Sequence, residues 1–528
     1  MHNFSDLTIF RPMKKIVIVL LILLIAFVAG VIGLNQFFKN KIVYFLDNAL
    51  ANNIELEYDA IHVDTWGGGV TLEDAFLTIK KRGDININTR IRTGKISFSG
   101  LSYWEYFLKN RVHIKEIQVD DNSIWFLDDR SDESQNKKEG PINLGKEINI
   151  DRLSIGNTTL KILKPEKDSL FLQVARAAFT IEDIRIDSDI VRRKIPLNYS
   201  DMLFEADSLF LKMNPYDNLT IGSVRLEKED IILKNTQIST KYSKEELSRR
   251  IEIERDHVDL QIAELGIHKI AWGFIQDTLF TKAALMRIKQ PKLAIYRDKL
   301  VKDDESIKPI YSRMLRNVPF NIMLDSLSVE DATIVYREKV KQEQPAGEIK
   351  FSKLEIQGSK LGNTYKIGAD TTKLFIKGVF LDTAPLQIDW SFDVQNPDDV
   401  FNLKGYMGEM TAANINSFTE PNLRAKMTGK VERVYFNING NNDGSNIDMK
   451  MKYDNFKVAI LNKNSKKNKF FSAIANLFVS NNSRDKDSGE YRSGRGHAER
   501  DKTKSFFNYL WLNLKEGLVE VLLGNGKK

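Results

Sequence analysis

Apolar and polar residues alternate along most of this chain, and one alternating pattern recurs. Ile117-Gln-Val-Asp-Asp-Asn-Ser-Ile-Trp-Phe126 and Leu153-Ser-Ile-Gly-Asn-Thr-Thr-Leu-Lys-Ile162 place apolar side chains at their first, third, eighth and tenth positions. Leu327–Tyr336 and Val70–Ile79 do the same, and Val224–Leu233 and Met286–Ile295 fit the template, the last with Pro291 at its centre. The polar middles are rich in Asp and Asn, which favour turns, so each copy is predicted to be a β-hairpin. Val119 would then face Ile124 and Ile117 would face Phe126. Likewise Ile155 pairs with Leu160, Leu153 with Ile162, Val329 with Ile334 and Leu327 with Tyr336. Side chains alternate with period two, so all four project from one face. The opposite face carries Gln118, Trp125, Ser154, Lys161, Ser328 and Val335. The turn pairs are not of the favoured Asn-Gly type, which leaves room for a longer loop or a bulge.

The candidate lining of this apolar face is Val70, Leu72, Leu77, Ile79, Ile117, Val119, Ile124, Phe126, Leu153, Ile155, Leu160, Ile162, Leu327, Val329, Ile334 and Tyr336. Three copies share a lead-in: Val112-His-Ile114, Ile148-Asn-Ile150 and Ile322-Met-Leu324. The copies have no fixed period, which excludes a propeller or a strict solenoid. Further alternation runs through Val258–Ile262, Leu374–Ile376 and Ile388–Phe392 and fades near Ile460. Short helices are predicted over Pro309–Asn317 and Ser243–Arg250, the second with Ser243 as its cap. Residues 130–140 and 480–504 are polar and charged and read as loop or disorder.

Two segments break the alternation. From Ile16 to Leu34 the chain carries no charge, and about 19 helical residues nearly span a hydrocarbon core of roughly 30 Å. Arg11, Lys14 and Lys15 precede it, favouring a cytoplasmic N-terminus; Lys39 and Lys41 weaken that vote. A cleaved signal peptide is the competing reading, against which no small-x-small cleavage pattern closes the run. Near the other end, Phe507, Leu510, Trp511, Leu514, Leu518, Val521 and Leu522 recur at helical spacing after Ser505. Phe507, Leu510, Trp511, Leu514 and Leu518 are candidates for a membrane or partner contact; the alternative is a helix packed on the end of the sheet. The chain therefore divides into a cytoplasmic N-terminus (1–15), a transmembrane anchor (16–34), a β-rich body (35–465), a short helix and disordered polar segment (466–504), and an amphipathic helix (505–523).

Composition narrows the function. The chain of 528 residues is 42% hydrophobic and 28% charged with a net charge of +7, and it contains no cysteine. Disulfides, thiolate metal sites, cysteine nucleophiles and an acylated cysteine are excluded together. Outside the C-terminal region no concentrated basic face marks a nucleic-acid binder. His2, His62, His113, His257, His268 and His497 lie at no metal-ligand spacing, and carboxylate pairs such as Asp120-Asp121 read as turn residues. Gly67-Gly68-Gly69 precedes a strand rather than a helix, so it does not cradle phosphate. The sequence gives no catalytic residue, metal ligand or cofactor site, and the chain is read as non-enzymatic.

The anchor, the recurrent "L-x-I-x-x-x-x-I-x-F" units and the C-terminal amphipathic helix together resemble the AsmA-like family (AsmA/TamB type) of Gram-negative envelope proteins, in its Bacteroidota-like version. That family is related in architecture to bridge-like lipid transfer proteins. The resemblance implies an elongated, twisted, antiparallel, taco-like β-groove in the periplasm, held by a single pass through the inner membrane. It implies phospholipid or another acyl lipid as partner, carried between membranes in support of outer-membrane biogenesis. The alternative it leaves open is a structural or assembly factor for outer-membrane proteins without lipid transport. About 25 strands at ~4.8 Å each extend roughly 120 Å, which makes this chain one segment of a relay or a factor that touches one membrane.

Overall fold

The computed structural model describes residues 32–44, 53–80, 87–128, 145–165, 169–366, 368, 370–461 and 491–523. The protein is mainly β, and the 24 strands among the described residues belong to one mixed sheet. The chain separates into two compact units, Met1–Leu211 with Arg225–Lys228, and Lys212–Val224 with Glu229–Lys528. All of the apolar run Ile16–Leu34 except residues 32–34 lies outside the described residues, as do residues 130–140 and, within the segment 466–504 expected to hold a short helix, residues 466–490. Residues 32–44 are helical. Among the described residues no helix is long and apolar enough to cross a membrane.

The first unit contains β1 (Ile54–Glu57), β2 (Ala60–Asp64), β3 (Gly69–Lys80), β4 (Ile87–Ser99), β5 (Arg111–Leu127), β6 (Glu147–Lys164), β7 (Ser169–Ile186), β8 (Asp201–Ala206) and β9 (Ser208–Lys212). β2 and β1 pair with successive halves of β3, and β8 and β9 with successive halves of β7. Between them β3, β4 and β5 run antiparallel, and β6 and β7 likewise. β5 and β6 pair in parallel.

The predicted hairpins are corrected here. Ile117–Phe126 lies within the single strand β5 and Leu153–Ile162 within β6. Val70–Ile79 lies within β3 in the same way. At the expected turn each strand carries one residue of positive φ instead: Asp74 (49°), Asp121 (59°) and Asn157 (42°). Asp and Asn tolerate the left-handed region because their short side chains bond locally, and a single such residue makes a β-bulge rather than a reversal. Val119 therefore pairs with Ile155, not Ile124, and Ile117 with Leu153, not Phe126. Neighbouring copies lie side by side in parallel register, and the lead-ins continue it, Val112 beside Ile148 and Ile114 beside Ile150.

The second unit holds β11 (Asp230–Thr240), β12 (His257–His268), β13 (Ala271–Ile275), β14 (Thr278–Lys289), β15 (Lys292–Asp298), β16 (Asn321–Lys339), β17 (Gly347–Gly362), β18 (Thr372–Phe380), β19 (Ala384–Phe392), β20 (Phe401–Met407), β21 (Met410–Thr411), β22 (Ala425–Gly440), β23 (Gly444–Ile460) and β24 (Arg492–Glu499). β10 (Asp217–Glu227) contributes residues to both units. Leu327–Tyr336 is again one strand, bulged at Asp331 (φ 52°). In Met286–Ile295 the bulge becomes a break at Gln290-Pro291, and β14 and β15 both pair in parallel with β16. The sheet is thus mixed rather than antiparallel. Val224–Leu233 does span a two-residue turn, Lys228-Glu229, between β10 and β11.

Helices Lys244–Arg250 and Tyr311–Arg316 fall where the sequence put them, and Ser243 Oγ accepts from Glu246 N at 3.2 Å. A further correction concerns residues 466–504: Arg492–Glu499, expected to be disordered, forms β24 against β23. Its Gly and charged residues hide the signal, because the side chains facing the core at Gly494 and Gly496 have been removed to admit a helix.

Candidate functional site

Pairing in register makes strand partners share a face, so the apolar face of the first unit can be read row by row. One row runs Ile61, Leu72, Ile96, Val119, Ile155, Phe179, Phe204. Its neighbour runs Val63, Val70, Phe98, Ile117, Leu153, Ile181, Met202. Beyond the bulges come Leu56, Leu77, Ile91, Ile124, Leu160, Val174, Leu209, and then Ile54, Ile79, Thr89, Phe126, Ile162, Leu172, Leu211. All twelve candidates of this unit thus share one face. A bulge and a hairpin both shift parity by one, so the face was predicted for a wrong reason. The reverse face carries Thr71, Ser97, Gln118, Ser154 and Thr180 in one row.

Between the apolar rows, at the bulges, runs a band of small and polar side chains that sequence reasoning missed: Ala75, Thr93, Asn122, Thr158 and Ala177, each at most 8% exposed. Asn122 Nδ2 donates to Thr158 Oγ1 at 2.9 Å, to Gly156 O at 3.1 Å and to Val119 O at 3.2 Å. Thr93 Oγ1 donates to Asp120 O at 3.1 Å, and on the solvent side Asn157 Nδ2 donates to Asp121 Oδ1 at 2.6 Å. Bulging disrupts the ladder locally, and these side chains satisfy backbone carbonyls that would otherwise be orphaned.

The apolar rows are not sealed. Val119, Ile124, Phe126, Leu153, Ile155, Leu160 and Ile162 are half-buried, and Phe98 is 38% exposed. At one margin Ile42 and Val43 of the helix at 32–44 pack against Ile61, Leu72 and Ala75. Within the rows Ile61, Leu72, Val174 and Ile181 are buried, and Ile117 and Leu153 pack against Ile181, so the face is only partly covered.

In the second unit the rows are longer and their fate changes along them. One runs Ile267, Met286, Leu327, Gly358, Leu374, Trp390, Leu403, Ile438, Ile447, Gly496. Another runs Leu265, Ile288, Val329, Ile356, Ile376, Ile388, Gly405, Phe436, Met449, Gly494. Leu327, Ile334 and Tyr336 are half-buried and Val329 is buried. The Tyr336 hydroxyl donates to Glu338 Oε2 at 2.6 Å, and burial, with Glu338 beside it, pushes its pKa up.

From Phe392 onward the rows are closed by helix Phe506–Leu523. Leu403, Ile438, Ile447 and Met449 are buried with Phe506, Tyr509, Val521 and Leu522, and Phe506 stacks on Trp390 at 5.1 Å. A Cβ on Gly494 would lie 2.5 Å from Val521 N, and one on Gly496 2.8 Å from Glu516 Cβ. The paired glycines, with Gly517 against Ile447 and Met449, let the helix lie on the strands. Asn513, fully buried, accepts from Ser445 Oγ at 2.8 Å.

The helix presents the expected Val521 and Leu522 to the sheet, and before them a different set of residues from the one expected. Phe506, Tyr509, Asn513 and Gly517 are buried, each one position before a residue of the predicted stripe. Leu510, Leu514 and Leu518 pack at its flank, Trp511 is half-buried and Phe507 is 65% exposed. The polar Asn513 and the bare Gly517 disguised the true face. Helix Tyr311–Arg316 is held nearby by the buried Asp399, which accepts from Ser312 Oγ at 2.9 Å and Arg316 Nη2 at 2.8 Å and faces Arg313 Nη2 at 2.7 Å.

Of the histidines, His62 lies 3.6 Å from Glu73, and His113 lies 2.8 Å from Asp151 and 3.5 Å from Glu105. The hydrogen bond to Asp151 raises the His113 pKa above its ordinary value. Among the described residues no group of three His, Asp or Glu could hold a metal ion. No family model matches the sequence, and no curated protein matches it.

Proposed function

We propose that this chain is a membrane-anchored, non-enzymatic carrier of acyl lipid, with its body in the periplasm and its anchor in the inner membrane. Acyl chains lie against the apolar rows of a taco-like sheet while headgroups stay in water, and phospholipid so held passes between membranes in support of outer-membrane biogenesis. The observation that supports this most is the run of half-buried apolar residues from Ile117 to Phe126 and from Leu153 to Ile162, set against a polar reverse face. Apolar surface left in water forgoes roughly 25 cal/mol for each Å², and hydrocarbon is the occupant that recovers it without directional bonds.

The test is a photocrosslinking amino acid at Val119 or Phe126, with Gln118 on the reverse face as control, in cells carrying radiolabelled phospholipid. Labelled lipid on the first two and none on Gln118 is the expected result. Equal labelling at all three, or none, sinks the carrier reading. Crosslinks from Val119 to outer-membrane proteins in place of lipid would favour an assembly factor.

A further inference from the structure

We infer that the Trp66 turn and helix Tyr103–Leu108 form a seat for the lipid–water interface of the membrane that holds the anchor. This rests on the anchor reading of Ile16–Leu34 and not on what the sheet carries. Helix Tyr103–Leu108 has the sequence YWEYFL and buries none of its residues. Trp104 is 68% exposed, Phe107 74% and Leu108 63%, and Trp66 in the turn before β3 is 78% exposed.

The amphipathicity of this helix is inverted relative to the protein. Its charged residue is the one turned inward: Glu105, with its side chain 18% exposed, lies 3.5 Å from His113, 3.6 Å from Arg111 and 3.7 Å from Lys109. Lys146 Nζ donates to Tyr106 O at 2.5 Å and sits 3.5 Å from the Tyr106 ring centroid. Ion pairs and hydrogen bonds thus fasten the polar side to the sheet and leave the aromatic side outward. A helix packed for water alone would be fastened the other way round.

Three segments converge on Thr65. Thr65 N donates to Asn35 Oδ1 at 2.8 Å, and the Tyr103 hydroxyl donates to Thr65 O at 2.9 Å. Gly67-Gly68-Gly69, a motif that no chemistry claimed, explains the close approach. Gly68 has φ 61°, its carbonyl accepts from Leu101 N at 3.0 Å, and a Cβ there would lie 2.7 Å from Leu101 O. Asn35 directly follows the apolar run ending at Leu34, so these bonds tie both aromatic elements to the point where the run ends. Phe37 and Phe38 are exposed on the same helix, and Lys39 and Lys41 supply cations for lipid phosphate. Trp and Tyr with flanking Lys are the residues that favour the headgroup level.

The chain lacks cysteine, so one introduced thiol is a unique label. Full-length Trp104→Cys, Phe107→Cys and, independently, Trp66→Cys are labelled with an environment-sensitive nitrobenzoxadiazole and reconstituted into phosphatidylethanolamine–phosphatidylglycerol vesicles. Ile307→Cys, at a position 73% exposed in the second unit, is the control. Expected is a blue shift with severalfold brighter emission at the three test positions. Nitroxides at the headgroup should quench it more than nitroxides deep in the acyl chain, and Ile307 should show neither effect. Chains that float with the vesicles while all three probes read like Ile307 overturn the seat and leave the anchor standing. Chains that do not float overturn both.

Discussion

Ile117 and Ile438 obey the same sequence rule and meet opposite ends. Each lies in a long strand, in a row of apolar partners, with polar neighbours on the reverse face. Ile438 is fully buried beneath helix Phe506–Leu523, whereas Ile117 is half-buried. Alternation specifies that a sheet has one apolar face; it does not specify what covers it. In the second unit the cover is encoded separately, by Gly494, Gly496 and Gly517, which clear the space for a helix. In the first unit the corresponding rows carry full-sized side chains, as a surface that meets something adaptable would.

Substitutions can sharpen that contrast. The largest effect is expected for Ile438→Ala, where truncation beneath the helix should cost about 3 kcal/mol; Val119→Ala should cost less than half as much while weakening lipid crosslinking. Equal losses for the two in denaturant titrations would mean that both faces are ordinary cores. Next comes Gly494→Val, which drives a branched side chain into the Val521 backbone. Overpacking there should cost about 2 kcal/mol, and limited proteolysis should release the C-terminal helix while the first unit stays protected.

Asn122→Ala removes the amide that donates to Val119 O, Gly156 O and Thr158 Oγ1, so a loss of about 1–2 kcal/mol is expected. Hydrogen exchange should then quicken at the bulges of β5 and β6 before it quickens elsewhere.

The smallest effect concerns pH. His113 has its pKa raised above 6.5 by Asp151, with Glu105 also contributing. Its stabilisation is complete below the unfolded pKa near 6.5 and is lost as pH rises through the higher folded value. Both carboxylates are partly solvated, so the gain stays under about 1 kcal/mol. Nuclear magnetic resonance should show a His113 titration midpoint above that of a denatured control, lowered by Asp151→Asn; an unchanged midpoint would remove the pair from the account.

The apolar face was legible in the sequence, and the connectivity was not. Asp121, Asn157 and Asp331 carry the chemistry of a turn, but the same tolerance of positive φ serves a bulge, and only the neighbouring strand decides between them. A hairpin would have satisfied Val119 within its own ten residues; the parallel partner Ile155 lies 36 positions away, beyond any local pattern. The C-terminal helix was found from its period, with Val521 and Leu522 rightly on its inward side, but from Phe506 to Gly517 that side was assigned one residue late, because burial there follows the glycines of β24 and the Ser445–Asn513 bond rather than hydropathy. The aromatic helix at Tyr103–Leu108 escaped notice for the opposite reason. Its residues look like core, and nothing in the sequence announces that they point outward.

The parallel junction of β5 with β6 also gives the chain between them a minimum length. Leu127 ends β5 and Glu147 opens β6 beside Arg111, so the two ends that must be joined stand apart by the length of β5, whose 17 residues measure about 56 Å at ~3.3 Å each. About 19 residues can reach no farther than roughly 65 Å when fully drawn out. The separation of those two ends therefore sets a mechanical floor on the length of any segment that joins them. Insertions there cost little, whereas losing a handful of residues would pull the two copies out of register and turn their oily sides away from one another.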